Sequence, residues 1–177
     1  MKHLRHFIFA LFCTTALGVW LSPGISRAEG RSWRIAVEPG MAHLRERNAR
    51  SWSGGGGISL SVDITQLIAV NLHVEHKMSW ESDADFDISA AGLGGTYRFD
   101  TLVVSPFLEG GIAYLRISQE RPLNEWLPFL GIGIETPLKS WLRVGIILRY
   151  YPLLNSELLE PAYGTLNGRL SFVLGST

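Results

Sequence analysis

Two histidines and a serine, His73, His76 and Ser79, stand within a few residues of one another with Glu75 among them. These are the residue types of a nucleophilic triad, in which a base activates a hydroxyl for attack on an ester or amide. The segment that carries them alternates Ile68, Val70, Leu72 and Val74 with Ala69, Asn71, His73 and Glu75, the period of a strand. Positions three apart on a strand point to opposite faces. His76 and Ser79 are therefore expected to part, and the cluster reads as polar residues of a lumen or an interface. Ser156 with Glu157 and Glu160 has no histidine beside it.

Other spacings point to ligands rather than catalysis. Asp83, Asp85 and Asp87, with Glu81, place alternate carboxylates where oxygen ligands for a divalent cation would stand. The glycine and later glutamate of an EF-hand loop are missing, so a solvated acidic loop is the expectation, and no metal or cofactor is assigned. Arg45, Arg47 and Arg50 have the charge to hold lipopolysaccharide phosphates through charge-assisted hydrogen bonds. Glu46 among them fits an ordinary solvent-facing loop equally well. Ser53-Gly54-Gly55-Gly56-Gly57 lacks the lysine and following helix of a phosphate-cradling loop and reads as a flexible entry to a strand.

The 177 residues allow one domain. Met1, Lys2 and Arg5 precede an apolar run from Phe7 to Leu21, then Pro23-Gly24, then Ser26-Arg27-Ala28. That order predicts a secretory signal peptide over residues 1–28, since the run is short for a membrane span. The mature domain is then 29–177. Cys13, the single cysteine, lies in the leader behind Phe12, which excludes lipidation there and leaves the mature chain without thiols. Lys2, Arg5 and Arg27 leave with the leader, so 13 basic and 16 acidic residues remain, a formal charge of −3. Nothing in that balance points to nucleic acid.

The mature chain repeats the period of two with no long helical stretch. Ile58–Ile64, Ile68–Val74, Leu108–Tyr114, Leu130–Ile134, Leu142–Leu148 and Leu166–Leu174 each alternate. A first strand near Trp33–His43 and a glycine-rich one near Phe86–Phe99 make eight. Short turns fall near Thr65-Gln66, at Asp100-Thr101 and at Pro137–Ser140. Longer polar links fall at Leu44–Ser53, Trp80–Asp85, Ser118–Glu125 and Pro152–Ala162. Four long links alternating with three short turns predict an all-β, eight-stranded antiparallel up-and-down transmembrane barrel.

Alternation alone does not say which face meets water. A soluble barrel buries the apolar face, and a membrane barrel turns it to lipid. Three features favour the membrane. The polar faces carry both signs, in Glu75, Lys77, Glu109, Glu135, Arg143, Arg149 and Arg169, which suits a lumen where charges pair across the barrel. The minority faces are rich in glycine (Gly92, Gly94, Gly95, Gly111, Gly131, Gly133 and Gly145), which lets a tightly curved wall close over a filled interior. Trp33, Trp52, Trp80, Trp126 and Trp141 fall near strand ends, as in interfacial girdles. The expected location is a Gram-negative outer membrane. The last three residues, Gly175-Ser176-Thr177, lack the terminal aromatic that many such barrels carry.

From about Ser105 to Leu174 the chain resembles the lipid A 3-O-deacylases, acyloxyacyl hydrolase-like outer-membrane barrels. The resemblance is carried by Ser-Pro-Phe-Leu-Glu-Gly-Gly-Ile at 105–112, Gly-Ile-Gly-Ile at 131–134, Val-Gly-Ile-Ile-Leu-Arg-Tyr-Tyr at 144–151 and Leu-Ser-Phe at 170–172. It implies an eight-stranded barrel and hydrolysis of an acyl ester of lipid A by a serine, a histidine and an acid. The sequence departs at those positions. The histidine position falls on Tyr150 or Pro152, the serine position on Pro152 or Leu154, and the acid position near Thr165–Asn167. Neither proline nor leucine can act as base or nucleophile, and no carboxylate stands near Thr165–Asn167. The expectation is thus a non-catalytic outer-membrane barrel that meets membrane lipids and lipopolysaccharide, with no protein partner identified. A lipid A hydrolase with a relocated site and a soluble periplasmic lipocalin-like barrel are the alternatives.

Overall fold

A computed structural model describes residues 32–45, 50–79, 87–99, 103–118, 122–152 and 162–174. The expected leader, Arg47, Trp80, Glu81, Asp83, Asp85, Leu154, Ser156, Glu157 and Glu160 lie outside them. The described residues form nine strand segments: β1 (Trp33–Val37), β2 (Gly40–Arg45), β3 (Arg50–Asp63), β4 (Ile68–Ser79), β5 (Asp87–Arg98), β6 (Ser105–Ser118), β7 (Leu123–Lys139), β8 (Leu142–Pro152) and β9 (Ala162–Leu174).

β1 and β2 are one strand. Val37 faces Ile58 and Leu170, and three residues later Gly40 faces Gly55 and Asn167, so the register runs on without an inserted residue. The interruption is Pro39, which has no N–H to give to the ladder. Its carbonyl still accepts from Gly168 at 2.8 Å, and Glu38 and Gly57 exchange both backbone bonds at 2.9 Å. Eight strands therefore follow one another antiparallel, and β9 closes on β1 and β2. A closed barrel leaves no sheet edge with unpaired amides, the condition for a sheet inside hydrocarbon.

The strand ends that flank residues 64–67, 99–104 and 140–141 share one end of the barrel, and those that flank 46–49, 80–86, 119–121 and 153–161 share the other. By the usual asymmetry these are the periplasmic and outer ends. The strands reach further outward than the alternation implied. The glycine run 54–57 is strand, paired with residues 75–78 of β4. A Cβ on Gly57 would stand 2.8 Å from the Val74 carbonyl oxygen, so the run lets β3 and β4 close tightly. β7 likewise begins at Leu123, inside the expected link. Strands of 14 and 17 residues exceed the roughly 9–11 needed to cross a bilayer. Their outer ends leave the hydrocarbon, and there the outward face of β3 holds Gly56, Gly54 and Trp52, so the period-two signal fades.

Apolar residues face outward: Ile58, Leu60, Val70, Leu72, Val74, Leu93, Ile112, Leu130, Ile132, Ile146 and Leu148 are all exposed. Arg34, Glu38, Asp63, Glu75, Lys77, Arg98, Glu109, Glu135, Arg149 and Arg169 are buried. This is the inverse of a soluble barrel, and the water-soluble alternative is set aside. Two aromatic belts flank the apolar band. Trp33, Tyr97, Phe99, Trp141 and Phe172 lie at the periplasmic end, where Trp141 stacks on Phe172 at 6.2 Å. His43 meets Trp52 at 4.8 Å, and Tyr114 meets Trp126 at 5.3 Å, toward the outer end.

Glycines inside the wall stand beside large side chains. Gly94 and Gly111 face each other on β5 and β6, and the Phe129 ring on β7 lies over both, 2.9 and 2.8 Å from where their Cβ atoms would be. Gly111→Val is expected to cost about 1–3 kcal/mol by overpacking. Gly95→Val, next to Gly94 in sequence but facing outward, meets only the Ala69 carbonyl oxygen at 3.9 Å and is expected to cost far less. Urea unfolding of both variants in lipid vesicles checks the contrast.

Candidate functional site: a plugged lumen

The lumen is filled in layers. Nearest the periplasm, Arg34 on β1 and Arg98 on β5 each donate to Asp63 at 2.7 Å, and Ser32 also donates to Asp63. Asp63 sits between Val62 and Ile64, and Arg98 between Tyr97 and Phe99, so each charge occupies the inward position of an outward-apolar strand.

The middle layer crosses the barrel. Arg149 on β8 reaches Glu38 at 2.6 Å and Glu109 on β6 at 3.1 Å. Arg169 on β9 reaches Glu109 at 3.0 Å, Glu38 at 3.3 Å and Glu135 on β7 at 3.4 Å. Ser59 donates to Glu38 at 2.8 Å and Ser171 to Glu135 at 3.1 Å. The wall makes these reaches possible. Gly131 stands between Glu109 and Arg149 in adjacent registers, and Gly145 between Glu135 and Arg169. Each arginine therefore spans a neighbouring strand that presents no side chain. Arg169 also lies over the Phe107 ring at 5.2 Å, a cation–π contact.

A third layer is a polar chain. The Tyr151 hydroxyl donates to Glu75 at 3.0 Å and lies 3.1 Å from His73 Nε2. Glu75, the phenol and the imidazole thus form one buried hydrogen-bonded chain. Lys77 donates to Asn167 at 2.5 Å, and the Asn167 amide donates to Glu75 at 3.4 Å. Toward the outer end the interior changes character. Ala42, Leu44, Ile88, Leu115, Ile117, Leu127, Phe129 and Tyr163 pack there as an apolar cluster. The lumen is thus not polar along its whole length, contrary to the simple inside–outside division.

Of the expected lumen charges, Glu75, Lys77, Glu109, Glu135, Arg149 and Arg169 are buried in this interior, and Arg143 is half-buried near the periplasmic end of β8. Arg34, Glu38, Asp63 and Arg98 join them without having been singled out. For Arg34, Asp63 and Arg98 the signal was available, a charge at the inward parity of an apolar segment. Together the buried charges of the described residues number five basic and five acidic, so each sign finds the other within the interior.

The triad residue types are dispersed. His73 faces inward, while His76 faces outward and bonds Ser89 at 3.0 Å. Ser79 is half-buried on the His73 face, six residues further along β4. Tyr150 and Pro152, at the positions the deacylase resemblance assigns to base and nucleophile, belong to the outward face of β8, with Tyr150 exposed. Thr165 and Asn167 are buried in the lumen. Arg45 and Arg50 are the final pair of the β2–β3 ladder at its outer end. Asp87 opens β5, opposite Met78 and Ser118.

No protein-family model and no curated protein matches this sequence. Solved structures match in fold. Neisserial surface protein A aligns at 15% identity with a TM-score of 0.63, over 82% of this chain and 97% of its own. Ail, the attachment invasion locus protein of Yersinia pestis, aligns at 14% and 0.58, over 82% and 99%. The outer-membrane enzyme PagL aligns at 13% and 0.54, over 78% and 98%. At such identities the likeness is one of fold, and it extends to several differently named barrels. With the apolar exterior and the charge-filled interior, it makes this chain an eight-stranded β-barrel of the bacterial outer membrane.

Proposed function

We propose that the protein is a non-catalytic, non-conducting outer-membrane barrel that works through its outer surface, as a structural or adhesive element or by contact with lipopolysaccharide. The observation that carries the reading is the middle layer of the lumen, where Arg149 and Arg169 tie Glu38, Glu109 and Glu135 across the barrel. A lumen crossed by mutually paired buried charges has no water path for solutes, in keeping with the small bore of eight strands. The positions that the resemblance would give to a hydrolytic base and nucleophile hold Tyr150, Pro152 and Leu154. The surface left to interact is the rim, with Arg45, Arg47 and Arg50 as candidates for lipopolysaccharide phosphates.

The test is a mass spectrum of lipid A from cells expressing the protein, beside cells carrying an empty vector. An unchanged spectrum is expected. Loss of one hydroxyacyl chain would establish a lipid A hydrolase with a relocated site and overturn the reading. In planar bilayers the purified barrel is expected to show no steady channel current.

A further inference from the structure

The membrane-facing wall opens into a shallow recess between β5 and β6. Gly95 on β5 and Gly110 on β6 face each other across the ladder, both at outward positions. With no side chain on either, the backbone lies bare, and an open recess of about 720 Å³ forms there, walled by Leu93, Ile112 and Trp126. Trp126 is 69% exposed, so the indole stands on the flank of the recess rather than filling it.

We infer that this recess is a lipid site, which seats an acyl chain of a phosphorylated outer-leaflet glycolipid and holds the phosphate of that lipid at Arg116. Three observations lead there. The recess lies within the apolar band, so its occupant is drawn from hydrocarbon. Its upper flank is the Tyr114–Trp126 pair, the outer aromatic belt on these strands. The next outward register above that belt is Arg116 opposite Asn124 on β7 and Ser89 on β5. Arg116 is exposed and stands four residues from Ile112, roughly 14 Å along a strand. Chain in the recess, ring at the interface and guanidinium beyond it follow the order of an outer-leaflet lipid: acyl chain, interface, anionic head. Arginine suits that last place, because its planar fork pairs with a phosphate through two parallel bonds.

A second copy of the barrel fits less well. Two barrels meet convex wall to convex wall, and Leu93, Ile112 and Trp126 stand proud around a floor that a neighbouring wall would bridge. A single chain of methylenes can lie on bare backbone between them. The inference rests on the outer-membrane placement and not on the rim arginines.

The test uses the purified full-length mature barrel in detergent, with bis-phosphorylated lipid A as the probe and native mass spectrometry to count lipid per barrel. Three variants are compared with the parent: Gly95→Leu, Arg116→Gln and, as a control at the periplasmic end, Lys139→Gln, whose exposed side chain lies on Trp141. A Cβ at position 95 has room, and a heat-dependent gel shift confirms that each variant is folded. One lipid A per parent barrel is expected. Gly95→Leu, which fills the recess, and Arg116→Gln, which removes the charge, should each weaken retention about tenfold, ~1.4 kcal/mol. Lys139→Gln should leave it unchanged. Retention equal to the parent in both Gly95→Leu and Arg116→Gln overturns the inference, as does loss in only one of them. A loss in Lys139→Gln as large as in the other two would mean that retention is not specific to this site and would also overturn it. A dimer in the parent that Gly95→Leu abolishes would assign the recess to a second copy and overturn the lipid site.

Discussion

Arg149→Ala is expected to destabilise the barrel by about 3–5 kcal/mol, the cost of leaving buried carboxylates without their partner. Arg149 is 1% exposed and touches two acids that come from opposite parts of the chain, Glu38 at 2.6 Å and Glu109 at 3.1 Å. Its removal strands charge in an interior that water does not reach. Arg169 still contacts both acids, yet one guanidinium then faces three carboxylates instead of sharing them. The origin of the cost can be separated from its size. Arg149→Met combined with Glu38→Gln and Glu109→Gln removes all three charges at similar volume, so no carboxylate is stranded and Arg169 keeps Glu135 as its partner. Urea unfolding in lipid vesicles, followed by tryptophan fluorescence, should show the single variant far below the parent and the triple variant well above the single. Equal losses would mean that packing of the arginine stem, not charge, holds the layer.

The second large effect is on the opposite face. Leu72 on β4 is 48% exposed, with Leu60 of β3 and Leu93 of β5 directly beside it. In a soluble protein Leu72→Arg would be a surface change, worth within about 0.5 kcal/mol. On the lipid face near mid-bilayer the same change is expected to cost about 2–4 kcal/mol, falling to about 0–1 near the interface. His76→Arg, four residues nearer the outer end of the same strand face, supplies that comparison. Unfolding free energies in vesicles should differ between the two by roughly 2 kcal/mol or more. Equal, small losses would mean that the outward face of β4 does not meet hydrocarbon.

The barrel was legible in the chain because a strand with two different solvents on its faces writes them into alternate residues. Ile68 to Val74 shows this, and Leu142 to Leu148 shows it again. Strand ends were less legible for the same reason. Ser51, Ser53 and the glycine run belong to β3, but outside the hydrocarbon layer both faces are polar or bare and the period disappears. The first strand carried a different ambiguity, since Pro39 breaks hydrogen bonding without shifting register, which only the pairing on both sides reveals. The candidate site was half visible. Glu109, Arg149 and Arg169 stand out as charges among apolar neighbours, while Glu38, beside Pro39, reads as the end of a strand.

By itself the sequence determined the strand count, the division of each strand into an apolar and a polar face, and the alternation of short and long connections. Each is local, set by residue type and a period of two along the backbone. The tertiary structure alone decided which charges meet. Arg149 and Glu38 are 111 residues apart, and their contact depends on the number of strands, the closure of β9 on β1, and glycines that open a path past the intervening strand. It also decided that the outer part of the lumen is apolar, and that Gly95 and Gly110 fall side by side on the lipid face. Those facts depend on register between strands, which is fixed only when all eight close together.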